Sequence, residues 1–513
     1  MLRTGLLGVG AAAGLTVGAT PAQQARVARA PLQIVGPWEI GGLAPASSGY
    51  LFTRMQIAET LLGARDDGTP EAALAQRWST SADGLVWRFE LRASARFHDG
   101  TPLTAQAVVR CLRAARVAPA LLSAAPIESI DADGASFVVI RLSKRFGGLA
   151  ALLAHSSTLV LAPASYAADG SVRAIVASGP YRIASLEPPR RLEAVAFDGF
   201  DGSPPAIERV RYLSAGRAET RALMAAAGQA DLAYSLDPAS VQRLRTRRNV
   251  RIETAMLPRT AIVKLNAGLP ALRDARVRRA LSLAVDRAGI AKALLRDPEL
   301  AATQLFAPTL GGWHDSALAP LGYDPAAAAR LLAEAGWQRT ANGLRHASGQ
   351  PIELVLHTFP DRPELPVMAT ALQEQWRQIG VNVQVTVGNS GDIPLGHRNG
   401  GLQLGLAARN YASVPDPAGT LVQDFGPKGG DWGAMGWKSE ALSAALAELA
   451  QGHAPAEQVA KLRAQVAGIL QAELPVIPIN WYREQVAVSA RVANVSLDPL
   501  ERSYRLSQMK WQA

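Results

Sequence analysis

The stretch "LPVMATALQEQWRQIGVNVQVTVG" (365–388) limits the folds open to this chain more than any other. Its first part carries apolar residues at helical spacing and stops at Gly380. Its last nine residues alternate apolar and polar without a break, the mark of a half-buried strand. A helix that feeds a strand through one glycine is an α/β unit, which must bury the helix stripe against a sheet. Other segments repeat these signals. "DPAAAARLLAEAGW" (324–337) predicts a helix capped by Asp324 and ended by a glycine. "LVWRFELR" (85–92) alternates Leu85, Trp87, Phe89 and Leu91, and "PLQIVGPWEI" (31–40) reads as a strand entering a loop. "FTRMQIAETLLG" (52–63) has the spacing of a helix stopped at Gly63. "TAQAVVRCLRAA" (104–115) predicts a helix capped by Thr104, with Val108, Cys111 and Leu112 on its packed side.

At 513 residues the chain is too long for one simple core, and two or three domains are expected. No solenoid repeat and no long Gly/Ser linker divides it, so the domains should be joined by strand crossovers. The net charge is +10, and only 7 of the 53 basic residues are lysine. The densest arginine runs, 243–251 and 273–279, contain no aromatic residue, so they read as solvated surface rather than a nucleic-acid groove. The first residues, "MLRTGLLGVGAAAGLTVGATPAQ", combine Arg3, an apolar small-residue run and small residues at Thr20 and Ala22. The run is too short to span a bilayer and fits a secretory signal over 1–22, cut after Ala22 or somewhat later. Cys111 is the only cysteine, so no internal disulfide is possible. No cysteine stands at the cleavage region to carry a lipid, and a soluble, monomeric, periplasmic protein is expected.

Signals of catalysis are missing. The seven histidines show no metal spacing, and there is no HExxH, GxSxG elbow, Walker loop or GxGxxG after a strand. In "RFHDGTPLTA" (96–105), His98 and Asp99 are neighbours and point apart on a strand end. Asp99–Gly100 is a turn dipeptide, and the stretch reads as a strand–turn–helix corner. In "ASGPY" (177–181), Ser178 reads as part of a tight turn. No cofactor or resident metal is expected. An exported hydrolase with a scattered triad is the rival from another class. A ligand-sensing receptor on the same scaffold is a third reading.

The region 59–109, ending in "FHDGTPLTAQAVV", resembles the signature of the peptide/nickel class of periplasmic substrate-binding proteins (family 5) that serve ABC importers. "SGPYRI" (178–183), "LNAGLPALRDARVRRALSLAVDR" (265–287), "LFAPTLGG" (305–312), "YDPAAAARLLAEAGW" (323–337) and "ALQEQWRQIGVNV" (371–383) follow in the family's order. The resemblance implies an α/β, two-lobed, type II periplasmic-binding-protein fold, with mixed sheets flanked by helices and an extra subdomain in the N-terminal lobe. Lobe I would comprise 31–52, 180–258 and 482–513, its extra subdomain 53–179, and lobe II 259–481. The lobes would close on a small molecule, a short peptide, an opine or a metal chelate, and dock on a permease with its ATPase subunits.

The resemblance also implies where the ligand lies: against "SSGYLFTRM" (47–55) and the loop "RNYASVPDP" (409–417). The expected ligand-binding residues are Tyr50, Phe52, Arg54, Asn410, Tyr411, Ser413 and Trp432. Peptide binders that resemble this chain place an acid where Ser413 stands, to hold a free amino group. Nickel-chelate binders place an arginine near Ser156, and a histidine in the loop corresponding to 426–433, which has none. Arg54 could replace that arginine or lie on the surface. Tyr411 could stack on a ligand or pack between lobes. Trp432 and Trp437 could anchor a core, Asp416 could cap a turn, and Asn410 could bond a ligand or its own loop.

Overall fold

The computed structural model describes residues 30–117, 121–341, 343–360 and 362–512. The expected signal segment, 1–22, lies outside them.

One ten-stranded mixed sheet runs through the molecule. From one edge its strands are Asn382–Val387, Glu353–Thr358, Leu404–Asn410, Val250–Leu265, Val476–Ser489, Leu232–Ala233, Leu32–Gly36, Arg209–Ser214, Arg191–Ala196 and Tyr181–Glu187. Its two ends sit in different lobes. In the first lobe Leu32, Ile34, Phe52, Tyr181 and Tyr212 share one core. In the second, Leu265, Leu354, Trp376 and Leu404 form another, with a neighbouring core around Phe306, Tyr411 and Phe425. The long antiparallel strands Val250–Leu265 and Val476–Ser489 cross between the lobes. Their register shifts between Leu257 and Thr260 and again between Ala261 and Ile262. Such irregularities bend a strand pair and give a two-lobed fold its crossover.

A four-stranded antiparallel sheet, in the order Ala75–Thr80, Val86–Leu91, Phe137–Leu142, Ile127–Asp133, forms the extra subdomain. Helix Ala105–Val117 packs on it, and its core is continuous with that of the first lobe.

The local signals act as their chemistry dictates. Asp324 accepts the Ala327 amide at 2.7 Å, and Thr104 accepts that of Ala107 at 3.4 Å. Gly336 and Gly380 end their helices at φ +86° and +88°. Trp376 is fully buried and donates its indole hydrogen to Leu281 O at 2.9 Å. A buried side chain of this kind stabilises the fold by about 1.5–3 kcal/mol.

The helix expected over 52–63 is instead Pro45–Arg54. Pro45 presets the first turn, and Gln56 at φ +53° breaks the helix. Ile57, Leu61 and Leu62 beyond it are completely buried in irregular chain and a short strand, so their spacing reflects core packing and not a helical face.

Candidate functional site: an interlobe cleft

Between the lobes lies a cleft of about 880 Å³. Helix Pro45–Arg54 presents Tyr50, Thr53 and Arg54 to it. The second lobe presents Arg259, Asn410 and Ser413, and the C-terminal segment presents Asp498, Glu501 and Arg502. Tyr50 and Arg54 are four residues apart and share a helix face. Phe52, two residues from each, points the other way and is completely buried in the first lobe's core. It is therefore not part of the cleft wall.

Arg54 ends its helix and is 9% exposed. Its guanidinium lies 4.2 Å from the Trp38 ring centre and 5.3 Å from that of Tyr50. Its Nε donates to the Glu501 carbonyl at 2.7 Å, and its Nη2 is 3.8 Å from the Glu501 carboxylate. Nη1 is buried without a hydrogen bond of good geometry, as is the Tyr504 hydroxyl. Burial by itself would lower the pKa of Arg54, but Tyr504, Glu501 and Glu484 around it raise it.

Arg259 stands at the irregularity in the crossover strand. Its Nη2 donates to Glu501 Oε2 at 2.7 Å, with both side chains nearly buried. Burial pushes the Glu501 carboxyl up, but Arg259, Arg54 and Arg362 hold it below its ordinary value. Glu484, which accepts the Ser235 amide at 2.7 Å, is pushed up to about 7 by burial and then by Glu501. The two carboxyls thus divide their roles: Glu501 carries the charge and Glu484 resists it. Tyr482 lies between Arg259 and Arg362, at 5.8 Å and 5.4 Å, and donates its hydroxyl to Glu364 at 2.7 Å.

Asn410 lines the cleft while its Oδ1 accepts the Ala412 amide at 2.9 Å, so it braces its own loop. Ser413 is exposed on the wall. Asp416 caps helix Pro417–Phe425 through the Ala418 amide at 3.0 Å. Tyr411 is completely buried, edge-on to Phe306 at 5.7 Å, in a core of the second lobe. Trp432 is half-buried edge-on to Phe359 at 6.4 Å. Neither reaches the cleft wall: in both, packing takes the apolar ring.

Sequence reasoning missed Arg259, Glu501, Glu484, Trp38 and His155. His155 lines the cleft, and its Nδ1 accepts the Ser157 amide at 3.1 Å. Its ring therefore keeps its hydrogen on Nε2. Burial lowers its pKa to about 4, which makes it a neutral donor. A histidine two residues before Ser157 was the only local signal. The arginines are also less free than their number suggests. Arg502 pairs with Asp498 at 3.0 Å, and Arg505 with Asp66. The wall offers both charges in opposed pairs, a surface for a polar solute with several oriented groups. Among the described residues, no group of three or more His, Cys, Asp or Glu side chains is placed to hold a metal ion, and no helix is long and apolar enough to cross a membrane.

Comparison with known proteins places this architecture. The pattern of "Bacterial extracellular solute-binding proteins, family 5 Middle" matches residues 69–432. The nickel-binding periplasmic protein of Escherichia coli (strain K12) is 24% identical over 503 residues, covering 94% of this chain and 95% of that protein. The dipeptide-binding protein of the same strain is 24% identical over 357 residues, 62% of this chain and 64% of that one. The crystal structure of NikA from Brucella suis in complex with Fe(III)-EDTA superposes with a TM-score of 0.85 at 23% identity, covering 94% of this chain and 100% of that one. This likeness shows the fold: two lobes of type II binding-protein architecture. With a family pattern that matches most of its length and a cleft between two lobes, this chain belongs to the bacterial extracellular solute-binding proteins of family 5.

Proposed function

We propose that this protein captures a small carboxylate-bearing solute between its lobes and delivers it to the permease of an ABC importer. It does so outside the cytoplasm, as a monomer and without chemistry of its own. The carrying observation is the interlobe cleft, walled by Tyr50 and Arg54 on one side and by Arg259 and Ser413 on the other, with two guanidiniums at its surface. A guanidinium at a cleft wall pairs with a ligand carboxylate through charge-assisted hydrogen bonds.

The solute classes are a short peptide, an opine or a metal–chelator complex. Ser413 offers no charge to a free amino group. The relative matched along nearly its whole length is named for nickel, whereas the dipeptide-binding relative is matched over 64% of its own length. Both points favour the chelate class. Metal, where present, travels as cargo. Of the seven expected ligand residues, Tyr50, Arg54, Asn410 and Ser413 carry this reading, joined by Arg259 and His155. The lobe division expected above, with lobe II at 259–481 and the extra subdomain at 53–179, and export through a segment cleaved after Ala22, belong to the same reading.

Native mass spectrometry of protein purified from its own host, followed by calorimetry with dipeptides, opines and metal–chelator complexes, tests it. The expected result is a co-purified polar solute and one tightly bound class. Protein free of solute that binds no class would overturn the reading.

A further inference from the structure

The C-terminal segment carries a device that the receptor reading does not require. Leu500 inserts into a core of the second lobe, while Tyr504 packs in the core of the first. Between them Glu501 is held at φ +58°, a left-handed conformation that a glutamate adopts only when its surroundings impose it. The constraints are visible. The Tyr504 amide donates to the Arg54 carbonyl at 2.9 Å, and Asp498 accepts the amides of Leu500 and Ser503 at 2.9 Å and 3.1 Å. Glu501 is thus not a mobile surface acid that drifted into the cleft. Its carboxylate is built in, 2.7 Å from Arg259 and 3.8 Å from Arg54.

A carboxylate between two arginines at a cleft wall occupies the position that a ligand's own carboxylate would take. We propose that Glu501 is the charge selector of this cleft: a resident carboxylate that fills one anion position between Arg54 and Arg259, so that the receptor accepts one anionic group fewer than its arginines could hold. This rests on the receptor reading and deepens it by fixing the charge class of the solute. Nη1 of Arg54 is turned inward beside the Tyr504 hydroxyl, away from the cleft space, so the ligand meets a wall whose arginine charge Glu501 already partly neutralises. That wall suits a single carboxylate or carbonyl oxygen. A compact polyanion meets Glu501 and is repelled. Arg54 therefore does not make the cleft a general anion trap, although it is the only basic residue in 47–55.

The test uses citrate, a compact polycarboxylate, as the probe, and calorimetry on the full-length mature protein stripped of solute. Glu501→Gln keeps the shape and removes the charge. Glu501→Asn removes it with a side chain that tolerates the left-handed backbone, so the result does not hang on one variant folding well. We expect either variant to bind citrate at least tenfold more tightly than the parent, and the gain to vanish when Arg54→Ala is added. Citrate affinity within threefold of the parent in both variants, or a gain that survives Arg54→Ala, would overturn the proposal. Failure of the receptor reading shows separately, as a parent protein that carries and binds no solute. The citrate comparison is made between variants whatever the solute is.

Discussion

At the scale of single residues, the cleft depends on Arg54. It touches the Trp38 ring, the C-terminal segment and the ligand space together. Arg54→Ala leaves Glu501 with Arg259 as its closest cation and removes a guanidinium from the cleft wall. Losing one partner of a buried charged pair costs about 2–5 kcal/mol. Affinity for the co-purified solute should fall by well over tenfold in calorimetry. Arg243→Ala is the contrast. That arginine is exposed and bonds Ser240 Oγ at 2.7 Å on its own helix, away from the cleft wall, and its loss should leave affinity unchanged. Arg54 could be picked out from sequence as the basic residue of its segment. Glu501 could not, because an acid in "LDPLERS" looks like any surface acid until the chain is folded.

At the scale of elements, the corner at His98 shows what a turn between strand and helix is for. Asp99 accepts the Thr101 amide at 3.0 Å, Gly100 turns at φ +84°, and the Phe97 amide closes on Thr101 O at 2.9 Å. His98 then stitches this corner to the segment that follows the subdomain: Nε2 donates to Gly179 O at 3.0 Å, and the ring meets Phe197 edge-on at 5.0 Å. It is not paired with Asp99 in any catalytic sense. His98→Ala should cost about 0.5–3 kcal/mol of stability and shift ligand affinity by no more than a few-fold. Burial lowers the His98 pKa from 6.5 to about 4. The unfolded chain therefore takes up a proton at higher pH than the folded one. This part of the stability is present above pH 6.5 and is lost as pH falls toward about 4. Melting curves from pH 7 to pH 4 should fall less steeply for His98→Ala than for the parent. A residue of the same slope should remain from His155, which is lowered in the same direction.

At the scale of the whole molecule, the lobes meet through backbone as well as through side chains. The Gly147 amide, on the subdomain side, donates to Ala450 O at 2.7 Å. A Cβ at Gly147 would lie 2.5 Å from Gly452 Cα, where nothing can give way but the lobes themselves. Gly147 is not in the left-handed region, so alanine strains nothing locally. Gly147→Ala should hold the lobes apart: a larger radius of gyration by small-angle scattering, an unchanged melting temperature, and solute affinity weakened by about tenfold, equivalent to ~1.4 kcal/mol. An unchanged radius and affinity would show that closure does not pass through this contact.

The sequence by itself determined the α/β class, the helices at 324–337 and 365–380 and the corner at His98, because these rest on periodicity and turn chemistry carried by neighbouring residues, and the order of its longer motifs carried the resemblance to the family. Through that resemblance it also pointed to Tyr50 and Arg54, which the fold places on one face of one helix. The tertiary structure alone decided that the ring of Phe52 serves the core, that the helix carrying it begins at Pro45, and that Tyr411 and Trp432 pack away from the cleft. Burial on all sides leaves no polar face for a periodicity to reveal. It alone also brought Glu501 to Arg54, 447 positions away, and to Arg259, 242 positions away. Contacts at that separation are set by how two lobes and a crossover pair pack. No local pattern of residues encodes them, and so the charge of the cleft could be known only from the fold.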